Sequence, residues 1–597
     1  MGGKSSRYSI LALVPGEPLY QELAKNLGSA RAYLKLKHAM GAMRNERQAE
    51  AAKVMDNWRG FLSRNRKANA ALMDLMHDAT IAGLDPAAPF TTRKKHTNET
   101  QAEFAAFVET RRKGYADLKA RWDAMPKKAQ EIYEQVRDSY VETAKIEREI
   151  IEQNVRDAMD ISLKRARLAY EDELNRIDED GLEGAERVEA EEAAAAIYAA
   201  VKKRDGYGRS ARLRSLRLMM EQNQVEAPYF PLLRHGQYFV SVKDRDGKIV
   251  SFTKAESERQ QARIVAEARK EFPDHEVITG LSGTAEGAPE VDPTFVADVE
   301  EMIGAKIDDP EIMDAIWQRY LQTLPDFSIR KSRLHRKGTP GFSRDAFRGF
   351  ARQMFHSAHQ LARLKHGMKM QMALDDARRE AQRADDPNRA MAVVNEMALR
   401  HDWIMNPQSS AWSTWATSAA FVYYLGMTPA AALVNLSQTA IVGIPVLGAA
   451  FQKGGTLRAS RHLMRALREF GTGMGAVENA KTLSDDERAA IRDAYARGIV
   501  DKSQAHDLAG VAESGVEYSD VRHRMMVPIS FFFHHAERLN REITFLAAYR
   551  MARENGIDHE RAVDKAGELT WKTHFNYESD SRPRIQQNDF MRVLTVF

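Results

Sequence analysis

Pro126-Lys-Lys-Ala-Gln-Glu-Ile132-Tyr-Glu-Gln-Val136-Arg-Asp-Ser-Tyr140 opens the stretch that decides the fold class. From there Ile132, Val136, Tyr140, Ala144, Ile151, Val155, Met159, Leu163, Ala166, Tyr170, Leu174 and Ile177 recur at steps of mostly three or four. That spacing places them on one face of a helix. The other faces are dense in Glu, Arg, Lys and Asp, and no Gly or Pro interrupts the run. The pattern predicts one helix near 126–177, about 50 residues and roughly 75 Å long. A coiled coil or strut and a long helix in a bundle both satisfy it.

The stretches from Glu46 to Ile81 and from Gly184 to Lys203 repeat this style. Residues 1–225 therefore read as a charged helical scaffold. The 597-residue chain carries 88 Lys+Arg against 84 Asp+Glu, a net charge of +4, so any basic surface must be local. A 43% apolar content excludes a wholly disordered chain. A mean hydropathy of −0.51 excludes a polytopic transporter. With no cysteine, disulfides, thiol nucleophiles and cysteine metal sites are excluded. Ile10-Leu-Ala-Leu-Val14 is too short for a signal-peptide core, and Gly2 fits only a loose myristoylation pattern.

The period then changes. Tyr238–Val242 and Ile249–Phe252 flank Asp246-Gly247, a hairpin signal. A helix over about Ala255–Glu271, ended by Pro273, and a strand over His275–Thr279 complete a small hairpin-helix-strand insertion near 226–285. Gly283–Pro293 reads as a linker, which gives a module over 226–290.

Helical periodicity returns over 291–402 with a basic concentration. Arg330, Lys331, Arg333, Arg336, Lys337, Arg344, Arg348 and Arg352 face one acid, Asp345. Such a cluster suits DNA or lipid phosphates, or is simply a solvated face. Trp403 to Gln452 then contains no charged residue, although 29% of the chain is charged. Pro407, Pro429 and Pro445 interrupt it, so neither apolar half makes a convincing spanning helix. A buried helical hairpin, or segments entering a bilayer as an assembly, fit the stretch. Lys453, Arg458, Arg461, Arg465 and Arg468 follow at once. They are further phosphate-contacting candidates at the flank of a 403–470 hairpin.

Residues 471–597 are helical again. Ser484 and Glu487 form a capping box, and Glu537–Glu554 reads as an amphipathic helix. Gly471-Thr-Gly-Met-Gly475 reads as a helix end, not a dinucleotide loop. The apolar last residues suggest a chain continuing beyond Phe597. No P-loop or HExxH motif occurs, and His356, His359 and His366 lack nearby carboxylates. No cofactor, metal or catalytic residue is expected, although a paired-carboxylate hydrolase needs no sequence proximity.

Pro231-Leu-Leu-Arg234-His-Gly236 resembles the PLxRFG signature of very large polyvalent bacteriophage proteins, with His235 where the family has Phe. Pro231, Leu232, Arg234 and Gly236 carry the match. Lys337–Gly341, Tyr424–Ala430, Asn435–Gln438, Phe545–Arg550, Thr573–Tyr577 and Arg582–Arg584 resemble the same proteins, so the resemblance spans about 225–597. It implies a non-enzymatic internal virion protein of a short-tailed phage. Such a protein leaves the capsid with the genome and forms part of an oligomeric conduit across the host envelope. The implied partners are copies of itself in a ring, other ejection, portal or tail proteins, the DNA backbone and the host membrane. The implied locations are the virion and then the periplasm or inner membrane. A non-catalytic interaction module of a larger multi-enzyme polyprotein, and a cell-wall hydrolase, are the rival readings. The expected fold is mainly α: an elongated multi-helix assembly with the α+β insertion.

Overall fold

One helix covers Lys127–Glu179, within two residues of the limits that the apolar stripe predicts. A computed structural model of the chain describes residues 10–14, 16, 19–20, 27–92, 95, 100–181, 183–222, 230, 238–244, 249–255, 257–281, 342–405, 437–451, 455–473, 475–500, 520–574, 583–588 and 590–591. In chain order the elements are α1 (Gly28–Arg64), α2 (Arg66–Ala82), α3 (Gln101–Asp123), α4 (Lys127–Glu179), α5 (Gly184–Gln222), β1 (Tyr238–Lys243), β2 (Ile249–Ala255), α6 (Glu258–Glu271) and β3 (Glu276–Leu281). There follow α7 (Ala346–Gln382), α8 (Pro387–Met405), a π-helical turn (Thr439–Gly443) running into α9 (Ile444–Ala450), α10 (Gly455–Thr472), α11 (Asp485–Ala496), α12 (Asp520–Glu554) and α13 (His559–Thr573). The molecule is mainly α with a small antiparallel sheet, the class expected from the sequence.

The chain divides into two units, 65–346 and the combination of 1–64 with 347–597. In the continuous unit, α2 and α3 pack on the first turns of α4. Leu72, Leu75, Met76, Trp122, Ile132, Tyr133 and Val136 are buried there, and Phe230 meets Tyr133 and Tyr140 edge to face. Asp85 accepts hydrogen bonds from Tyr133 (3.3 Å) and Arg137 (3.0 Å). Burial, with the Asp85 carboxylate alongside, pushes the Tyr133 hydroxyl far above the ordinary tyrosine range. Gly83, at φ 60°, ends α2 in the left-handed conformation that glycine adopts without strain.

Beyond Ile150, α4 pairs antiparallel with α5. Glu152 meets Arg217, Tyr170 stacks on Tyr198, and Asp178 meets Arg187 across the turn. Hydrogen bonds from Arg217 and Arg156 hold the Glu152 carboxyl down to about 2. Among the described side chains of 151–222, the only buried hydrophobics are Met159, Ile177 and Ala194.

The sheet has the order β2-β1-β3, antiparallel throughout. Phe239 stacks on Phe252 across β1 and β2, and Gln261 of α6 donates to the Phe239 carbonyl at 2.9 Å, tying helix to sheet. The Asp246-Gly247 turn lies outside the described residues.

The split unit holds two apolar clusters. Tyr33, Met40, Met370, Leu374, Val394 and Met397 join α1, α7 and α8. Leu447, Leu463, Ile491, Phe545, Leu546, Tyr549 and Leu569 join α9 to α13. From Ala536 to Ala552 every residue of α12 except Arg538 and Leu539 is buried. The sequence predicts a one-sided amphipathic helix here. The structure departs from that because α12 is the central helix of its unit, and its charges find partners inside.

Candidate anion-contacting surface and buried charge network

Four arginines on α10 share one side of the helix, and the reason lies in its sequence. Ala459, His462, Leu463, Ala466 and Glu469 recur at steps of three and four and are buried. That pattern fixes which side faces the core. The opposite arc is exposed and divides lengthwise. Leu467, Met464 and Leu457 (39%, 51% and 71% exposed) lie along one half. Exposed Arg468, Arg461 and Arg465 lie along the other, with half-buried Arg458 at its edge. Arg465 pairs with Glu469 at 3.2 Å, while Arg461 and Arg468 have no ion-pair partner among the described residues. Two guanidinium nitrogens of Arg458, Nε and Nη2, are shielded from solvent without a hydrogen-bond partner.

The preceding π-helical turn and helix carry no charge. In the π-helical turn and α9, Ala440, Ile441, Pro445, Ala449 and Ala450 are exposed, Ile441 at 69%. The inner side is anchored. Gln438 donates to the Thr573 carbonyl (2.9 Å), Thr439 bonds Asn540 (2.8 Å), and Leu447 enters the core. Gly448 and Gly455 bring the backbones of α9 and α10 into direct contact, because a Cβ on Gly455 would collide with the Gly448 carbonyl.

The other sequence candidates are distributed differently. Arg330, Lys331, Arg333, Arg336, Lys337 and Lys453 lie outside the described residues, as do Pro231, Leu232, Arg234 and Gly236 of the phage-like motif. So do residues 406–436 of the uncharged stretch. Arg344, in the continuous unit, is partnered by Asp74 at 2.6 Å. Arg348 and Arg352 are half-buried on α7 of the split unit.

A second constellation was not singled out by sequence reasoning. Arg550, buried on α12, donates to Glu487 (2.6 Å) and Glu469 (2.9 Å). Arg541 donates to Glu537 (2.7 Å) and to the Ile499 carbonyl (3.3 Å). Glu542 is fully buried; it accepts from the Val477 N–H (2.6 Å), Arg538 (2.7 Å) and the Tyr495 hydroxyl. Burial pushes the Glu487 carboxyl up, but hydrogen bonds from Arg550 and the Ser484 backbone outweigh it and leave the group below its ordinary range. Burial and the neighbouring Glu542 carboxylate push the Tyr495 hydroxyl well up. Charges held this way brace the core; they are poor proton donors or acceptors. The signal was present as Glu537/Arg541 and Arg538/Glu542, both at i, i+4.

Histidines are likewise committed to packing. His356 is buried and pushed down to about 3 by desolvation and by Arg352. His359 bonds Gln48 (2.9 Å), His401 bonds Tyr33 (3.2 Å), and His574 bonds Thr544 (2.9 Å). Among the described residues no group of three or more His, Asp or Glu is placed to hold a metal ion. No helix among them is long and apolar enough to cross a membrane.

Residues 1–188 match the model of a family described as large polyvalent protein associated domain 39. No curated protein and no solved structure matches the chain. The matched region is the charged helical front, α1 to the start of α5, which the sequence motifs left unplaced. It makes the chain similar there to a module of large polyvalent, phage-type or mobile-element proteins.

Proposed function

We propose that the chain is a phage internal virion protein of the PLxRFG type, a non-enzymatic subunit that leaves the capsid with the genome and assembles with copies of itself into a conduit across the host envelope. The match of residues 1–188 to a large polyvalent protein domain supports the phage-type setting, and the motifs within 225–597 point to the same class from independent residues. The observation that carries assembly is the α4–α5 hairpin. Among their described side chains these two long helices bury only Met159, Ile177 and Ala194, and so little burial gives their pairing little stability. Along this pair Leu168, Val188 and Ile197 are exposed, at 43%, 54% and 70%. Neighbouring hairpins packed side by side would cover these residues and leave the charged faces to water. A cysteine-free chain built mostly from local helical contacts also suits unfolding, transfer and refolding.

The family match also favours a second reading, a non-catalytic interaction module inside a larger polyprotein. Protein mass spectrometry of purified virions distinguishes the two. The delivery reading predicts this chain in mature particles and its loss from particles that have emptied their DNA. Absence from mature particles, with an enzyme domain encoded in the same gene, supports the module instead.

A further inference from the structure

We propose that the α9–α10 hairpin is a peripheral docking surface for an anionic phospholipid bilayer. The proposal names a partner for the delivery reading and rests on it for the biological setting; the surface itself is argued from geometry.

Arg461, Arg465 and Arg468 place three exposed cations within about 10 Å along one helix, with the half-buried Arg458 one turn before them. The one acid of α10, Glu469, is buried and already bonded to Arg550 and Arg465. The arginine half of the arc is therefore net positive and calls for an anionic partner. The other half selects among anions. Leu457, Met464 and Leu467 stand exposed beside the arginines, and the π-helical turn and α9 add exposed Ile441 and Pro445 with no charge at all from Ser437 to Phe451. A nucleic-acid backbone would neutralise the arginines and leave these aliphatic groups wet, since such interfaces are polar. A bilayer surface takes both, with aliphatic side chains below the headgroups and guanidinium groups at the phosphates. The docking proposed is peripheral: guanidinium groups at the phosphates and aliphatic side chains just below the headgroups. The Gly448–Gly455 contact and the anchors to Asn540 and Thr573 hold α9 and α10 as one platform.

The test is flotation of the full chain with vesicles of phosphatidylcholine alone or mixed with phosphatidylglycerol, alongside a gel shift with duplex DNA. The chain is expected to float with the mixed vesicles and not with phosphatidylcholine alone. The pair Arg461→Gln and Arg468→Gln should lower partitioning roughly 30-fold, about fivefold for each cation lost near an anionic surface. Leu457→Asn with Met464→Gln should also weaken flotation although no charge changes. All four side chains are exposed, and unchanged thermal unfolding confirms that folding is intact. Failure to float, equal flotation on both vesicle types, or arginine variants that lose only duplex binding would overturn the proposal. A chain that floats but stays monomeric keeps this surface and refutes the conduit; a ring that ignores vesicles does the reverse.

Discussion

Arg550 shows how much of this fold is decided by single buried charges. Its side chain is 4% exposed, and its guanidinium is shared between carboxylates from two other helices, Glu469 of α10 and Glu487 of α11. Glu487 is at the same time the third residue of the Ser484 capping box. Removing the cation leaves two carboxylates packed together with little access to water, and such losses cost about 3–5 kcal/mol. Arg550→Met should therefore lower unfolding free energy by about that amount in urea titrations. Adding Glu469→Gln and Glu487→Gln should recover most of it, because Gln keeps the capping bond without the charge. Little of this was legible in the sequence. The capping box was, because its two residues are three apart and signal each other locally. The Arg550 bonds close over 63 and 81 residues, and no local spacing announces them.

At the scale of elements, helices were legible wherever a face repeated over many turns. The limits of α4 follow from its stripe. The β1–β2 pairing follows from two β-rich runs about a turn, whereas the helix expected from about Ala255 starts at Glu258, because Ala255 ends β2 and the Ser257 side chain caps the helix by accepting from Gln260 N–H. What failed was the degree of burial. The 537–554 pattern reads as one-sided because its Glu and Arg residues look solvated, whereas paired charges let α12 enter the core on nearly every side. The α10 surface was half legible. Its arginines were candidates from their position after the uncharged stretch, but the lengthwise split of the exposed arc emerges only once the buried side is known. The contact between α9 and α10 supplies an element-scale test. Alanine normally stabilises a helix relative to glycine by roughly 0.5–1 kcal/mol. Gly471→Ala on α10, where a Cβ meets nothing within 4 Å, should do so. Gly455→Ala should instead cost about 1–3 kcal/mol, because the obstacle is the Gly448 backbone and no rotamer relieves it. Thermal unfolding of the two variants side by side reads the opposite signs.

For the molecule as a whole, the sequence divides by composition while the structure divides by packing. One unit is closed by α1 returning to α7, α8, α11 and α13 across nearly 300 residues or more; His38 of α1, for example, stacks on Trp571 of α13 with ring centroids 4.1 Å apart. Composition cannot reveal such a closure, because the α1 pattern is like that of its neighbours in sequence. The continuous unit carries the feature on which the functional reading depends, a long antiparallel hairpin along which Leu168, Val188 and Ile197 stand exposed. Sedimentation velocity of the full chain across a concentration series, beside a variant with Leu168→Lys and Ile197→Lys, tests this most directly. The account predicts a discrete oligomer for the parent chain and a shift toward monomer for the variant, with helix content by circular dichroism unchanged. A parent chain that sediments as a monomer at every concentration, or an oligomer indifferent to both lysines, would contradict it.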